Sequence, residues 1–305
     1  MSDAARRCCG TIAILGAPNA GKSTLINRLV GSKVSIVSPK VQTTRARVLG
    51  IVLRGSSQLI FVDTPGIFAA PKRRLERAMV KAAWAGAADA DLVLVLVDAA
   101  RGLDPDSERL IAGLGAAGAA GRNPILALNK IDRVPREKLL PLAETLNARE
   151  KFARTFMISS LTGDGVEDLA QHLAALVPEG PWLFPEDQLS DVPLRLLAAE
   201  LVREQVFLQL HEELPYAITV ETEQWEERED GSVRIDVTIH VARESHKPIV
   251  LGKGGAQVKR IGAAARHELE VLLERRVHLF LHVRVTADWS DDRARYDAIR
   301  LEWEK

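Results

Sequence analysis

A run of small and polar residues near the N-terminus has the residue types and spacing of a phosphate-binding loop. The segment Gly16-Ala17-Pro18-Asn19-Ala20-Gly21-Lys22-Ser23 fits G-x-x-x-x-G-K-[ST], and Thr24 follows it. The backbone N–H groups of such a loop and the positive end of the following helix form a concave site for a polyphosphate. Lys22 is predicted to reach the β- and γ-phosphates, and the Ser23 hydroxyl is predicted to bind Mg²⁺. The segment predicts a nucleoside triphosphate site.

A second motif, Asp63-Thr64-Pro65-Gly66, comes directly after the apolar run Gln58–Val62. After a phosphate loop, this aspartate is predicted to hold Mg²⁺ through water, and the Gly66 N–H is predicted to meet the γ-phosphate. Many small GTPases carry a glutamine after this glycine, which orients the attacking water. Here the residue is Ile67, whose side chain can neither donate nor accept a hydrogen bond. We therefore expect slow intrinsic hydrolysis and another way of positioning water.

The choice of base is predicted from Asn129-Lys130-Ile131-Asp132. A carboxylate at Asp132 can accept hydrogen bonds from guanine N1–H and the 2-amino group, whereas adenine lacks both donors and would leave the charge unpaired. Asn129 is predicted to contact the purine edge, and the stem of Lys130 to cover the ring face. Backbone N–H groups of Ser159-Ser160-Leu161 are predicted to bind guanine O6. The pattern indicates GTP rather than ATP.

The polar segment Gln42-Thr43-Thr44-Arg45 lies between these two phosphate motifs. A threonine there would complete the Mg²⁺ shell of the GTP state, and we assign Thr44 rather than Thr43 to this role. The alternative is a polar loop without a ligand, because threonine is common in loops. The predicted metal ligands are Ser23, Thr44 and Asp63, and the catalytic residues that these motifs predict are Lys22, Thr44 and Gly66.

Short apolar runs alternate with helical patterns through the first half of the chain. The predicted strands are Thr11–Leu15, Arg47–Leu53, Gln58–Val62, Leu92–Val97, Pro124–Leu128 and Thr155–Ile158. The predicted helices are Ser23–Val30, Lys72–Gly86, Asp106–Gly115, Arg136–Asn147 and Val166–Leu176. Alternation of this kind favours an α/β fold with a mostly parallel sheet, helices on both faces and ligand loops at the carboxyl ends of the strands. Each motif above falls at such an end.

The stretch Pro178–Pro193 contains four prolines and has no periodicity, which predicts an interdomain linker. The elements predicted after it are helix Leu194–Leu214, strands Tyr216–Thr222 and Val233–Val241, helix Ala256–Arg275, strand Val277–Val285 and helix Asp288–Glu304. We therefore expect a nucleotide-binding domain over residues 10–177, a linker over 178–193 and an α+β domain over 194–305.

A second glycine-rich loop, Gly252-Lys253-Gly254-Gly255, opens the helix Ala256–Arg275 after the apolar run Ile249–Leu251. G-x-x-G in this position is the signature of KH domains, whose loop clamps about four nucleotides of single-stranded nucleic acid. The order helix–strand–strand–helix–strand–helix is like the type II KH fold. Between Lys247 and Arg266 the chain has five Lys/Arg and no Asp/Glu. The predicted RNA-binding residues are Gly252, Lys253, Gly254, Gly255, Lys259 and Arg260.

The nucleotide motifs make the chain resemble GTPases of the TrmE–Era–EngA class. Pro185–Leu189 and the Gly-Lys-Gly-Gly loop narrow the resemblance to the KH-domain family of that class, from about Gly10 to the C-terminus. It implies a P-loop GTPase domain followed by a type II KH domain, with GTP/GDP and Mg²⁺ as cofactors. It also implies assembly of the small (30S) ribosomal subunit through the 3′ end of 16S rRNA. For Asn19 it implies a K⁺ ligand and thereby a fourth catalytic residue, the alternative being that Asn19 merely shapes the loop.

Composition narrows the remaining classes. The 305 residues suffice for two domains, and the apolar run Leu92–Val97 is too short to cross a bilayer. We expect a cytoplasmic protein, with contact to the cell membrane at most peripheral. Cys8 and Cys9 are adjacent and are expected as reduced thiols in a frayed N-terminus. Two rival functions are an RNA-binding protein with GTP as a structural ligand, and a tRNA-modifying GTPase of the same class, whose catalytic cysteine near the C-terminus is missing here.

Overall fold

A computed structural model describes residues 6–40, 43–67, 71, 73–115, 124–210, 214–287, 289, 292–299 and 301–303. The chain divides into two compact units. The first contains the chain up to Ser35, Thr44–Asp191 and a C-terminal segment from Asp297, and the second contains Ile36–Thr43 and Val192–Tyr296. In the described part of the chain, every helix is too short or too polar to cross a membrane.

The first unit is built on a sheet with strand order β2-β3-β1-β4-β5-β6. The strands are β1 (Cys8–Gly16), β2 (Val48–Arg54), β3 (Ser57–Asp63), β4 (Leu92–Asp98), β5 (Ile125–Asn129) and β6 (Arg154–Met157). All neighbouring pairs are parallel except β2 and β3, which are antiparallel. The central strands are continuous apolar runs because helices cover both faces of a parallel sheet. The predicted mostly parallel sheet is confirmed.

Five helices of the described chain cover this sheet: α1 (Lys22–Val30), α2 (Arg74–Asp89), α3 (Pro105–Gly113), α4 (Leu139–Arg149) and α5 (Val166–Ala174). Side chains of successive β1 residues point to opposite faces. Ile12 therefore packs in a cluster with α1 and α5, whereas Ala13 packs in a cluster with α2, α3 and α4. This two-sided packing holds the carboxyl ends of β1, β3, β4 and β5 at one edge of the sheet. Lys72, the predicted start of the second helix, lies outside the described residues.

The expectation of a frayed start around Cys8 and Cys9 is wrong. Both residues belong to β1, and the Cys8 N–H donates to the Ser56 carbonyl at 3.0 Å. Cys9 is buried, and its Sγ lies 3.6 Å from Oε1 of Gln58. Burial raises the pKa of the Cys9 thiol. The parallel ladder with β3 extends the strand beyond the apolar run, which is why the sequence pattern placed its start too late.

The proline-rich stretch runs along the edge strand of the first sheet. The Ile51 N–H donates to the Leu189 carbonyl at 2.9 Å, and Ser190 forms a bridge with Gly50. The Gln58 side chain accepts from the N–H groups of Leu183 and Phe184. The contacts of Gly50 and Ile51 satisfy edge groups of β2 that would otherwise be open to pairing with another chain.

The second unit has a sheet of order β7-β8-β9, in which β7 (Ile218–Glu227) is antiparallel and β9 (Val277–Val285) parallel to β8 (Val233–Val241). Its helices are α6 (Leu194–Gln209), α7 (Lys247–Leu251), α8 (Ala256–Leu273) and α9 (Arg293–Ala298). Alternate β8 residues such as Ile235 and Val237 are buried in one apolar cluster with α6 and α8. The predicted KH element order is confirmed, with α7 added.

Several predicted bounds in this unit differ from the structure. Strand β7 covers Ile218–Glu227 rather than Tyr216–Thr222, and helix α8 ends at Leu273 rather than Arg275. The apolar run Ile249–Leu251, for which the pattern predicted no element, is the end of helix α7. Helix α6 ends at Gln209 rather than Leu214. In the described part of the predicted helix Asp288–Glu304, α9 covers only Arg293–Ala298, and the Trp289 indole N–H is bonded to a distant backbone carbonyl.

Candidate functional site

The phosphate-binding loop joins β1 to α1, as the motif requires. Gly21 caps α1 with φ of 102°, and a Cβ there would lie 2.3 Å from Nδ2 of Asn129. The Lys22 side chain is buried, and its Nζ donates to the carbonyls of Gly16 at 3.0 Å and Ala17 at 3.1 Å. Burial lowers the pKa of Lys22 to about 8. The ammonium is therefore held within the loop with few water contacts, where an anion would stabilise it. The other predicted loop residues lie on the same turn or the first turn of α1: Pro18, Asn19, Ala20, Ser23 and Thr24.

The three predicted metal ligands lie together at the end of β3, where the hydroxyls of Ser23 and Thr44 both bond the Asp63 carboxylate. Its Oδ2 accepts from the Ser23 hydroxyl at 2.9 Å and from the Thr44 hydroxyl at 3.3 Å, and the two hydroxyls lie 2.8 Å apart. Ser35, which the sequence pattern did not indicate, also donates to Oδ2 at 2.8 Å. Thr43 instead directs its hydroxyl to Ser38 and to a backbone carbonyl.

This carboxylate has the properties of a ligand for a hard cation. Asp63 is 0% exposed, and burial raises its pKa. Its Oδ1 accepts no hydrogen bond within the described residues, which is costly for a buried oxygen. An all-oxygen set of one carboxylate and two hydroxyls suits Mg²⁺. No group of three or more His, Cys, Asp and Glu residues in the described chain could hold a metal by itself.

The rest of the second motif lies against the phosphate loop. A Cβ at Gly66 would come within 3.1 Å of three Pro18 atoms, so the glycine lets the two backbones approach closely. The Thr64 hydroxyl donates to a β1 carbonyl at 2.7 Å. The Ile67 N–H donates to the Gly16 carbonyl at 3.2 Å, and its side chain is buried in the core. The position that holds a glutamine in many small GTPases thus serves packing here.

Asn129 joins the phosphate loop to the segment Ser159–Leu161, which we call the guanine loop. Its Nδ2 donates to the Ala20 carbonyl at 2.7 Å, and its Oδ1 accepts from the N–H and the hydroxyl of Ser160, both at 2.9 Å. The side chain is 1% exposed. Asn129 therefore fixes the spacing of two loops from different parts of the chain, and its contact with the purine edge stays a prediction.

The Lys130 side chain reaches from the Asn129–Asp132 motif to the phosphate loop and to the end of β4. Its Nζ donates to Oδ2 of Asp98 at 2.7 Å and to the Asn19 carbonyl at 2.6 Å. Both Lys130 and Asn19 have φ of 64°, a left-handed backbone conformation that asparagine tolerates better than most residues. Asp98 was missed by the motif analysis, although its place at the carboxyl end of β4 is a usable signal.

The Asp132 carboxylate is oriented by the guanine loop itself. The Ser159 hydroxyl donates to its Oδ1 at 2.6 Å. Of the three N–H groups predicted to bind guanine O6, those of Ser159 and Ser160 donate within the protein, to the Asp164 carbonyl and to the motif's asparagine. Within the described structure, the Leu161 N–H makes no such bond. The contact of guanine O6 with the N–H groups of Ser159, Ser160 and Leu161 stays a prediction.

Arg28 is a further residue that the sequence patterns missed. From the last turn of α1, its Nε donates to the Ser160 carbonyl at 3.3 Å and its Nη2 donates to the Leu161 carbonyl. Gly163 lies against the same guanidinium. Helix α1, which begins at the phosphate loop, thus also holds the guanine loop. No local pattern marks Arg28, because its partners are far away in sequence.

The glycine-rich loop of the second unit lies between α7 and α8. Gly252 has φ of 69°, and a Cβ there would lie 2.6 Å from Cβ of Gln257. Gly254 and Gly255 also have positive φ, but a Cβ at either would have no neighbour within 4 Å. The loop therefore needs Gly252 for packing and presents open backbone at the other two glycines. Three predicted cationic residues are exposed on the loop and on α8: Lys253, Lys259 and Arg260.

Comparisons with known proteins match both units. Residues 11–130 match the family model described as 50S ribosome-binding GTPase, and residues 213–290 match that of the KH domain. GTPase Era of Bradyrhizobium sp. (strain BTAi1) is 59% identical over 295 residues, which are 97% of this chain and 94% of the relative. GTPase Era of Rhizobium meliloti is 56% identical over 97% of this chain and 93% of the relative.

Solved structures agree with these relatives. A variant of Aquifex aeolicus Era bound to GDP and AlF4⁻ has a TM-score of 0.89 and 39% identity, covering 96% of this chain and 98% of its own. Era in complex with MgGDPNP and nucleotides 1506–1542 of 16S ribosomal RNA matches with the same values. The nucleotide motifs, the KH unit and this identity over nearly the whole length show that the chain belongs to the Era family of GTPases.

Proposed function

We propose that this GTPase binds the single-stranded 3′ end of 16S rRNA through its Gly252–Gly255 loop and acts as a GTP/GDP switch in the assembly of the small ribosomal subunit. One observation carries the proposal: this exposed loop with its cationic residues lies in a chain that matches, over 96% of its length, a relative solved with a 16S rRNA fragment. Small residues let a sugar–phosphate backbone approach, and the α8 N-terminus and neighbouring cations attract it. The protein would act in the cytoplasm, where the small ribosomal subunit is assembled.

For the nucleotide reaction, we assign Mg²⁺ to the Ser23 and Thr44 hydroxyls and, through water, to Asp63. When bound, Mg²⁺ neutralises charge on the β- and γ-phosphates. The Lys22 ammonium binds the same phosphates, and the Gly66 N–H donates to the γ-phosphate. Hydrolysis removes this last acceptor and so releases the Gly66 contact, which allows the segment behind it to switch.

Water is positioned without a glutamine, because Ile67 is packed in the core. We assign a K⁺ ion beside the Asn19 side chain as the added positive charge near the γ-phosphate. The competing role for Asn19 is to shape the loop through its left-handed backbone. Replacing K⁺ by Na⁺ distinguishes these roles, because loop shape does not depend on which monovalent ion is present.

The test is GTP hydrolysis in K⁺ and in Na⁺ buffer, with and without an oligonucleotide that matches the 3′ end of 16S rRNA. The matching RNA is expected to raise kcat and a scrambled RNA is not. K⁺ is expected to raise the rate whether or not RNA is present. If the protein hydrolyses GTP but neither binds nor responds to the matching RNA, the proposed RNA role is overturned.

Arg28→Ala is expected to weaken GTP and GDP binding about tenfold, which corresponds to ~1.4 kcal/mol. The variant removes two hydrogen bonds from a charged donor that hold the carbonyls of the guanine loop, while the phosphate loop keeps its own contacts. The measurement is the Kd of each nucleotide. Arg109→Ala, an exposed arginine on α3, is the matched control. Unchanged affinity in Arg28→Ala would mean that the loop keeps its position without this side chain.

A further inference from the structure

The segment Ile36–Thr43 belongs to the second unit, although the residues on either side of it belong to the first. Ser35, just before it, and Thr44, just after it, both bond the Asp63 carboxylate. The two residues that flank the segment therefore bond the proposed metal ligand Asp63, while the segment itself packs within the second unit.

Helix α6 holds this segment at several points. Ile36 is buried in the apolar cluster that α6 shares with the β7-β8-β9 sheet. The Val37 N–H donates to Oε1 of Glu204 at 2.7 Å. Arg203 donates through Nη2 to the Thr43 carbonyl. Both ends of the segment are thus bonded to adjacent charged residues of one helix.

These two charged residues are almost completely buried. Arg203 is 1% exposed and Glu204 is 2% exposed. The Arg203 guanidinium also pairs with the Glu200 carboxylate and lies 5.2 Å from the centroid of the Phe207 ring. A buried ion pair adds less to stability than an apolar replacement of the same shape often does, and its best-attested use is to select one arrangement. Here the guanidinium of the pair also donates to the Thr43 carbonyl, so the arrangement that contains the pair includes the position of that carbonyl.

We propose that Arg203 and Glu204 are positioning residues for the GTPase reaction, which hold Thr44 where it can join the metal ligands. The proposal rests on the proposed function, since it takes Thr44 as a Mg²⁺ ligand. The physical link is the planar peptide bond between Thr43 and Thr44. Fixing the Thr43 carbonyl fixes the plane of that bond, which contains N and Cα of Thr44. The Thr44 side chain then reaches its partners Ser23 and Asp63 through rotation about the N–Cα and Cα–Cβ bonds alone.

Arg203→Met tests this directly, with Arg203→Lys as the variant that keeps the charge beside Glu200. The measurements are the Kd of a non-hydrolysable GTP analogue as a function of Mg²⁺ concentration, the Kd of GDP, and amide hydrogen exchange of residues 36–44 without nucleotide. Removing a residue that orients a metal ligand lowers metal affinity by about 10- to 100-fold. We expect Arg203→Met to raise the half-saturating Mg²⁺ concentration for the analogue at least tenfold, and Arg203→Lys to have a smaller effect.

Two further readouts separate positioning from a general loss of structure. GDP affinity is expected to stay within twofold of the wild type, because Thr44 serves the GTP state. Exchange at Val37 is expected to accelerate, because its partner Glu204 adjoins the altered side chain. Arg195→Met is the matched control: it makes the same change on α6, and Arg195 bonds the Thr222 and Glu223 carbonyls.

Wild-type Mg²⁺ dependence in both folded Arg203 variants would overturn the inference. So would an equal loss in Arg195→Met, since that would indicate an effect of any change in α6. If the wild-type protein itself binds the analogue without Mg²⁺ dependence, the metal assignment in the proposed function is wrong instead. If the wild-type protein fails to bind rRNA but both Arg203 variants lose Mg²⁺ affinity, the RNA role is wrong and the positioning role stands.

Discussion

Asp132→Asn is expected to weaken GTP binding by about 10²- to 10⁴-fold and to create binding of xanthosine triphosphate. Two hydrogen bonds from guanine to a carboxylate are lost, and bonds to a charged group are each worth about 1.5–3 kcal/mol. The Ser159 hydroxyl bonds Oδ1 of the carboxylate, and the asparagine amide oxygen can keep that bond. Its NH₂ group then takes the place of the other oxygen, where it can donate to the 2-oxo group of xanthine but opposes the 2-amino group of guanine.

The measurement is the Kd of GTP, XTP and ATP for both proteins. Asp168→Asn, an exposed position on α5 with the same change in charge, is the control and is expected to behave as wild type. An Asp132→Asn protein that keeps GTP affinity would place base selection elsewhere. A protein that loses GTP without gaining XTP would indicate that the carboxylate orders the loop rather than reading the base.

The double variant Lys253→Asp with Gly254→Asp is expected to lower RNA affinity by about 10²-fold. It removes one cation and adds two carboxylates beside phosphates, and each unit charge at ~4 Å in water contributes about 1 kcal/mol. Together these changes amount to about 3 kcal/mol, and every 1.4 kcal/mol is a factor of about ten. The fold is expected to survive, because a Cβ at Gly254 meets no neighbour and aspartate tolerates the left-handed conformation there.

The hairpin between β7 and β8 offers a matched control. Arg228→Asp with Gly231→Asp makes the same change in charge, and Gly231 also has a positive φ with open space around it. Anisotropy of a labelled oligonucleotide matching the 16S rRNA 3′ end gives the Kd, and the slope of log Kd against log salt is expected to fall in the loop variant. Equal losses of RNA affinity in both variants would indicate a general effect of charge on this unit rather than a specific contribution of the Gly252–Gly255 loop.

Local patterns predicted most of the first unit. A phosphate loop, D-x-x-G and the Asn129–Asp132 motif each concern neighbouring residues at the end of a strand, so spacing along the chain was sufficient to find them. The strands were found because their apolar runs are long and bounded by turn residues. The frayed start at Cys8 was the exception, since a parallel ladder with β3 extends that strand beyond its apolar run.

Patterns were weaker in the second unit. The five residues of α7 span little more than one turn, so their periodicity could not be seen. The charged C-terminal residues predicted a helix longer than α9, because composition reports helix propensity and not the contacts that end a helix.

The sequence by itself determined the family, the α/β and KH architecture, and the residue types that can hold phosphate, metal, guanine and RNA. Tertiary structure alone decided which distant groups hold those residues in place: Asp98 beside Lys130, Arg28 on the guanine loop, and Arg203 on the Thr43 carbonyl. The physical reason is the separation of the partners along the chain. A motif encodes chemistry in adjacent residues, whereas a positioning contact joins side chains far apart in sequence, and its geometry exists only after the elements have packed.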